Sequence, residues 1–440
     1  MSFNIKEVIE NTNGILLKGD INNRLEFLIS TDTRKINKGD LYLPLRGGNY
    51  DGHSFIDSAL REGAIGYFTQ DKDKINDSAE FIIYVENTLV AYLKLAEYLR
   101  HKINPKVIAI TGSSGKTTVK EMLYSVLSVT YKTHKTALNH NNEIGLCQTV
   151  FQMPEDTEFL VLEMGMRNLG EIELLSNYSK PDIGIITNVG TAHVELLGTI
   201  KNIAVAKCEI ASHLNKNGTF IAPDCKNIKE TVNFEGEKIF AGKGQNIEIQ
   251  KGKTTFEYKG EKYELKVEGE HNVQNAILVI EAALKAGVSI ENIKKGLLNF
   301  RPIEKRWEVS TIKGLNFIND SYNANPESMK AAIKTFLSVN KPPVALVLGD
   351  MGELGKDSIS YHKEIGEFLS SYCREGVEIL TVGELAKFIL KASLFDGKSF
   401  KTNEECAKYI AENLKEGTTI LLKASRFMKF EEIMETVKKI

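Results

Sequence analysis

An apolar strand that runs through a glycine-serine loop straight into a helix restricts this chain more than any other feature. The stretch is VIAITGSSGKTTVKEM, residues 107–122. Its strand, KVIAI (106–110), is nearly all apolar. Strands covered on both faces read this way, and they belong to parallel sheets wrapped by helices. Gly112 and Gly115 let the backbone wrap closely around a ligand. The loop amides and the helix N-terminus then aim partial positive charge at one point, which makes an anion site. Lys116 adds a full charge for the β and γ phosphates, and the Thr117 hydroxyl is placed for magnesium. Gly112, Ser113, Ser114, Gly115, Lys116, Thr117 and Thr118 are therefore expected to cradle a nucleotide. Position 110 is Ile, so the loop is the shorter form G-x-x-G-K-T-T. An ordinary strand-to-helix turn is the alternative, and it leaves the lysine and the paired threonines without a purpose.

The same alternation fills the chain. Short apolar runs fall at 41–45, 64–68 and 80–85, with helical spacing at 53–64 and from Thr88 to about His101. INPKV (103–107) reads as a boundary, because a proline breaks the helix before a new strand. EFLVLEM (158–164) and DIGIITNV (182–189) continue the buried parallel pattern. FEYKGEKYELKV alternates around Lys259-Gly260 and predicts an exposed antiparallel hairpin. Helices are expected from Asn272 to Ala286 and from Ile290 to Leu298. A second boundary falls in FRPIEKRWEV (300–309), and strands then restart at 314–320, 343–349, 378–383 and 418–424. The fold class is α/β in three domains: 1–103, a central parallel-sheet unit at 104–302, and a Rossmann-like unit at 303–440. A length of 440 residues agrees with three domains.

Composition removes other classes. Lysine plus arginine number 56 and aspartate plus glutamate 58, for a net charge of -2. A nucleic-acid binder normally carries a basic excess, so none is expected as a partner. No apolar run reaches the ~18 residues of a membrane helix, and the N-terminus lacks a signal-peptide pattern. Five scattered cysteines without a C-x-x-C pair read as reduced thiols. A cytoplasmic location follows as the expectation.

Three more clusters sit at strand ends, where α/β folds bind ligands. Glu163 ends EFLVLEM and is a candidate magnesium ligand or a solvated charge. His193 lies in TNVGTAHVELLG (187–198) beside Asn188 and Gly190. NHNNEIG (139–145), with Asn141 and Asn142, is a turn or a polar loop toward phosphate, metal or substrate. Lys207, in AVAKCEI (204–210), falls on a helix, and a helical lysine is nearly always a solvated charge.

In this order and spacing, the motifs resemble the Mur ligase superfamily of ATP-dependent amide-bond-forming enzymes. The resemblance rests on TGSSGKTT, NHNNEIG, LEMG, TNVGTAHVE and AKCEI, then GEHNVQNA (269–276), KRWE (305–308), NDSYNANPESM (319–329) and LKASR (422–426). It covers nearly the whole chain. SYNANP, LGDMGELG (348–355) and STDTRKINKGDLYLPLRGGNYDGHSF (30–55) point to the branch that adds a D-alanyl-D-alanine dipeptide. The resemblance implies ATP and Mg²⁺ as cofactors, and UDP-MurNAc-tripeptide and D-Ala-D-Ala as substrates of a monomeric ligase. It implies that Lys116, His193, Lys207 and Arg306 serve catalysis. It implies magnesium at Thr117, Glu163, His193 and Lys207, with Lys207 carbamylated. Asn272 and Asn275 would lie near the adenine, and Arg306 and Asp320 would reach the nucleotide from the C-terminal side. Asn323, Asn325, Ser425 and Arg426 would serve the dipeptide or the closed site. Thr31, Asp32, Thr33, Arg34, Gly52 and His53 would hold the UDP-sugar. Cys147, Asn319 and Ala424 depart from residues frequent in the family, and none carries an assigned chemical role. The alternatives are another Mur-type amino-acid ligase, a folylpolyglutamate synthetase-like enzyme, a nucleotide-dependent switch with a phosphate loop, or a nucleotide-binding scaffold.

Overall fold

The computed structural model describes residues 2–48, 50–302, 305–373 and 375–440. Ile303 and Glu304, where the second domain boundary is expected, lie outside the described residues, as do Met1, Asn49 and Arg374.

The near-continuous apolar runs of the central unit form one parallel sheet. Its strands lie side by side as Glu237–Ala241, Thr219–Pro223, Ile183–Ile186, Lys106–Thr111, Phe159–Glu163 and Thr133–Lys135. Every neighbouring pair is parallel. Helices cover both faces, which is why the strands need no polar alternation. The helix Lys116–Leu127 packs one face with Val119, Met122, Leu123 and Val126, all fully buried.

A five-stranded sheet precedes this unit, in the order Ile15–Lys18, Phe81–Tyr84, Gly66–Thr69, Leu41–Tyr42 and Ile29–Ser30. Only its first pair is antiparallel. The helix Thr88–Ile103 joins the two units, and their cores run together. Phe81, Ile83, Leu95 and Leu99 share one apolar cluster with Val107, Ala109, Leu160 and Leu162 of the central sheet.

The C-terminal sheet is ordered Glu308–Ile312, Leu315–Asn319, Thr419–Lys423, Val344–Gly349, Val377–Val382 and Gly397–Phe400. An antiparallel hairpin opens it and the remaining pairs are parallel.

The hairpin expected around Lys259-Gly260 forms between Lys253–Tyr258 and Glu261–Leu265. Lys259 and Gly260 both take positive φ, 51° and 80°, as a two-residue turn of matching twist requires. It is not exposed. Gln245–Gln250 pairs with it to make a three-stranded sheet, and Phe256, Tyr263 and Leu265 are buried in the core that also contains Ile108 and Ile110. The polar alternation marks its outer face only.

Candidate active site

Parallel strands end together, and here they deliver the chemistry to one edge. Lys106–Thr111 runs into the glycine-serine loop, Phe159–Glu163 ends on Glu163, and Ile183–Ile186 leads to Thr187–His193. These three strands are adjacent. From the C-terminal unit, three adjacent strands lead to Asp320–Asn325, to Lys423 and to Asp350–Glu353. Between them lies a cleft of about 1160 Å³.

The loop at the cleft floor is held from below. Asn188 accepts from the Ser114 amide (2.9 Å) and donates to the Ser114 hydroxyl (2.6 Å). The Gly190 amide donates to Ser113 Oγ at 2.9 Å. Gly112 sits at φ 151°, and a Cβ there would come within 1.8 Å of Thr187 Oγ1. Gly115 sits at φ 78°, with Asn275 Oδ1 2.7 Å from where its Cβ would be. Both glycines are therefore required by space as well as by φ. We expect Gly112→Ala to weaken ADP binding by about tenfold or more, read by calorimetry, because the loop must shift off Thr187. An unchanged affinity would show that the loop adapts.

Lys116 Nζ donates to the Gly112 carbonyl at 2.7 Å. Burial lowers its pKa, the Glu163 charge opposes this, and Arg306 adds to it. Arg306 reaches from the C-terminal side and donates to Thr117 Oγ1 at 3.0 Å. Its guanidinium lies 4.2 Å from the Tyr322 ring centre. Its Nε is buried without a hydrogen-bond partner.

Glu163 is 5% exposed. Its Oε1 accepts from Asn141 Nδ2 at 3.0 Å. Its Oε2 has no hydrogen bond, and the buried Lys120 ammonium stands 3.6 Å away. His193, at φ 66°, places Nδ1 2.8 Å from Glu353 Oε2. The pair lies within contact distance without meeting full hydrogen-bond geometry. His193 holds the Glu353 carboxyl below its ordinary pKa range.

Lys207 departs most from the expectation for a helical lysine. Only 1% of it is exposed, on the helix Ile200–Cys208. No ion pair to Lys207 exists among the described residues. Burial first, and then the Lys116 charge, pushes its pKa well below the usual lysine range.

The remaining candidates divide. Ser113, Ser114, Thr118, Asn141, Asn142, Asn272, Asn275, Asp320, Asn323 and Asn325 line the cleft with Lys116, Thr117, Glu163, His193 and Arg306. Several are partly committed. Asn142 and Asn325 cap helices, Asn272 Nδ2 donates to the Glu268 carbonyl, and Asp320 pairs with Lys423 at 2.6 Å. Lys207, Ser425 and Arg426 do not line it. Ser425 is buried and ties Gly352 to the Ala324 carbonyl, and Arg426 pairs with Glu431. Thr31, Asp32, Thr33, Arg34, Gly52 and His53 lie in the first unit, outside this cleft. There Asp32 pairs with Arg34, and His53 bonds Asp51 while its Nε2 is buried without a partner. Lys120, Tyr322, Glu327, Glu353 and Lys423 also shape the site and escaped the sequence reading. Their partners are distant in sequence.

A phosphate loop, a carboxylate and a histidine at neighbouring strand ends, faced by a second α/β unit, define an ATP-dependent ligase arrangement. The chain belongs to the Mur ligase family. The family models match in three consecutive pieces: "Mur ligase family, catalytic domain" over 28–106, "Mur ligase middle domain" over 110–283 and "Mur ligase, glutamate ligase domain" over 305–426. The chain is 36% identical to the UDP-N-acetylmuramoyl-tripeptide–D-alanyl-D-alanine ligase of Bacillus subtilis, over 98% of this chain and 97% of that protein. A crystal structure of MurF from Acinetobacter baumannii superposes with a TM-score of 0.92 at 31% identity, covering 100% of this chain and 99% of the other. MurF from Thermotoga maritima in complex with ADP gives 0.84 at 28% identity, over 94% and 97%.

Proposed function

We propose that this chain joins D-alanyl-D-alanine to the terminal carboxylate of UDP-N-acetylmuramoyl-tripeptide, with ATP converted to ADP and phosphate. The carrying observation is the convergence of the held phosphate loop, Glu163 and His193 on one cleft whose opposite wall comes from the C-terminal unit. The full-length likeness to D-Ala-D-Ala ligases supports the substrate pair.

A carboxylate is a poor electrophile. Its oxygen therefore attacks the γ-phosphorus, the bond to the ADP oxygen breaks, and an acyl phosphate forms. The dipeptide amine then attacks the acyl carbon, phosphate leaves and the amine proton is lost. The protein's task is alignment and charge compensation. Lys116 and Arg306, which meet at the phosphate loop from opposite units, would face the transferring phosphoryl group. The C-terminal wall would shield the acyl phosphate from water, which would otherwise hydrolyse it.

The residues present fit a magnesium ion. Glu163 Oε2 is buried without a hydrogen bond, and hard oxygen donors suit this cation. Among the described residues no group of three or more His, Cys, Asp and Glu could hold a metal. A carbamate on Lys207 would supply a further oxygen donor, and burial, then the Lys116 charge, favours the neutral amine that such a modification needs. Thr117, Glu163, His193 and carbamylated Lys207 would hold the metal, which neutralises phosphate charge when bound. The first unit would hold the UDP-sugar through Thr31, Asp32, Thr33, Arg34, Gly52 and His53. Asn323 and Asn325 would meet the dipeptide, while Ser425 would position their loop. A single chain supplies the residues of this cleft, in keeping with a monomeric enzyme.

Phosphate release with UDP-MurNAc-tripeptide tests the reading. It should rise at least about tenfold when D-Ala-D-Ala is added. Stimulation by a single amino acid, with none by the dipeptide, would assign another Mur-type ligation.

A further inference from the structure

One carboxylate of the C-terminal unit, that of Glu327, reaches the turn that supports the phosphate loop. Glu327 stands in the first turn of the helix Pro326–Val339, two residues after Asn325. An acidic residue there favours the helix N-terminus, and most such residues point into water. Glu327 instead crosses to the central unit. Its Oε1 accepts from the Thr191 amide at 3.0 Å, and its Oε2 accepts from the Thr191 hydroxyl at 2.9 Å. The neighbouring residue, Gly190, makes room. A Cβ there would lie 2.9 Å from the Glu327 carboxyl carbon and within 3.2 Å of both its oxygens. Gly190 is outside the left-handed region, so its backbone alone does not demand glycine. The same Gly190 donates its amide to Ser113 of the phosphate loop.

We propose that Glu327 is a positioning residue, a latch that docks the C-terminal unit onto the Gly190-Thr191 turn and so couples the dipeptide side of the cleft to the phosphate loop. The path is short and physical: Asn323–Asn325, Glu327, Thr191, Gly190, Ser113. When the latch is lost, the docked arrangement is a smaller fraction of the population. Apparent affinity for a ligand that needs the docked form falls by that fraction, while turnover at saturation is retained. The coupling to the dipeptide rests on the ligase reading above, and the docking itself does not.

Two measurements separate them. In X-ray scattering with ADP bound, Glu327→Ala should give a larger radius of gyration than the parent, at an unchanged melting temperature. Glu327→Gln, which keeps one acceptor oxygen, should fall between them and guards against a folding defect. An unchanged radius overturns the latch, whatever happens to turnover. In steady-state assays, Glu327→Ala should raise the KM for D-Ala-D-Ala about tenfold with little change in kcat. Gly190→Ala should do the same in the parent and nothing further in Glu327→Ala, since the methyl then meets no carboxylate. Independent, multiplying effects overturn the coupling. A changed radius with no dipeptide-dependent phosphate release overturns the ligase reading and leaves the latch standing.

Discussion

Lys116→Ala should lower kcat by about a thousandfold while the fold and the melting temperature are retained. The ammonium is the only full positive charge built into the phosphate loop 112–118. It already points into the loop, on the Gly112 carbonyl, and it is partly walled off from water. A charge in such a place is worth more than one in bulk water, because less solvent screens it. Removing it costs little stability, since burial makes the protonated form uncomfortable there, as its lowered pKa records. The loss should therefore fall on the phosphoryl-transfer step. Single-turnover formation of ADP from ATP and UDP-MurNAc-tripeptide would show it directly. A mutant that forms ADP at the parental rate but fails to make product would move Lys116 to the second step. Arg306 offers no substitute. It approaches from the other unit and is anchored on Thr117 and Tyr322.

What could be read in the sequence was local. The phosphate loop announced itself because strand, glycines, lysine and helix are contiguous. The parallel central sheet followed from apolar runs, and the Lys259-Gly260 turn from two residues. Long-range pairing was invisible. Glu327 meets a partner 136 positions away, and Arg306 one 189 positions away. No pattern in a chain of ordinary composition marks such pairs. The hairpin reads as exposed because alternation reports that one face is polar and says nothing of what covers the other. Glu353 and Lys423 lay inside stretches noted as motifs, yet only the fold brings them opposite His193 and Asp320.

Lys207 shows the same limit and gives the second large effect. AVAKCEI reads locally as an ordinary helical segment, and only packing makes its lysine 1% exposed. A buried lysine without an acidic partner is costly, so its retention asks for a reason. Lys207→Ala should reduce kcat by about a thousandfold or more, and a small carboxylate such as acetate should restore part of it by supplying the oxygen donor. Full activity in the plain mutant would remove the carbamate. Stability gives an independent sign. The folded pKa lies well below the unfolded value, so the unfolded chain binds the proton more readily. The uncarbamylated parent therefore pays no penalty above the unfolded pKa, and a growing one as pH falls from there toward the folded pKa. Lys207→Met, close in length and without charge, escapes that penalty. In carbon dioxide-free buffer it should melt higher than the parent, by a margin that widens as pH falls from about 10 toward neutrality. Added bicarbonate should narrow the margin by raising the parent alone. A Lys207→Met protein that melts below the parent at every pH would mean that the ammonium has a partner within the fold.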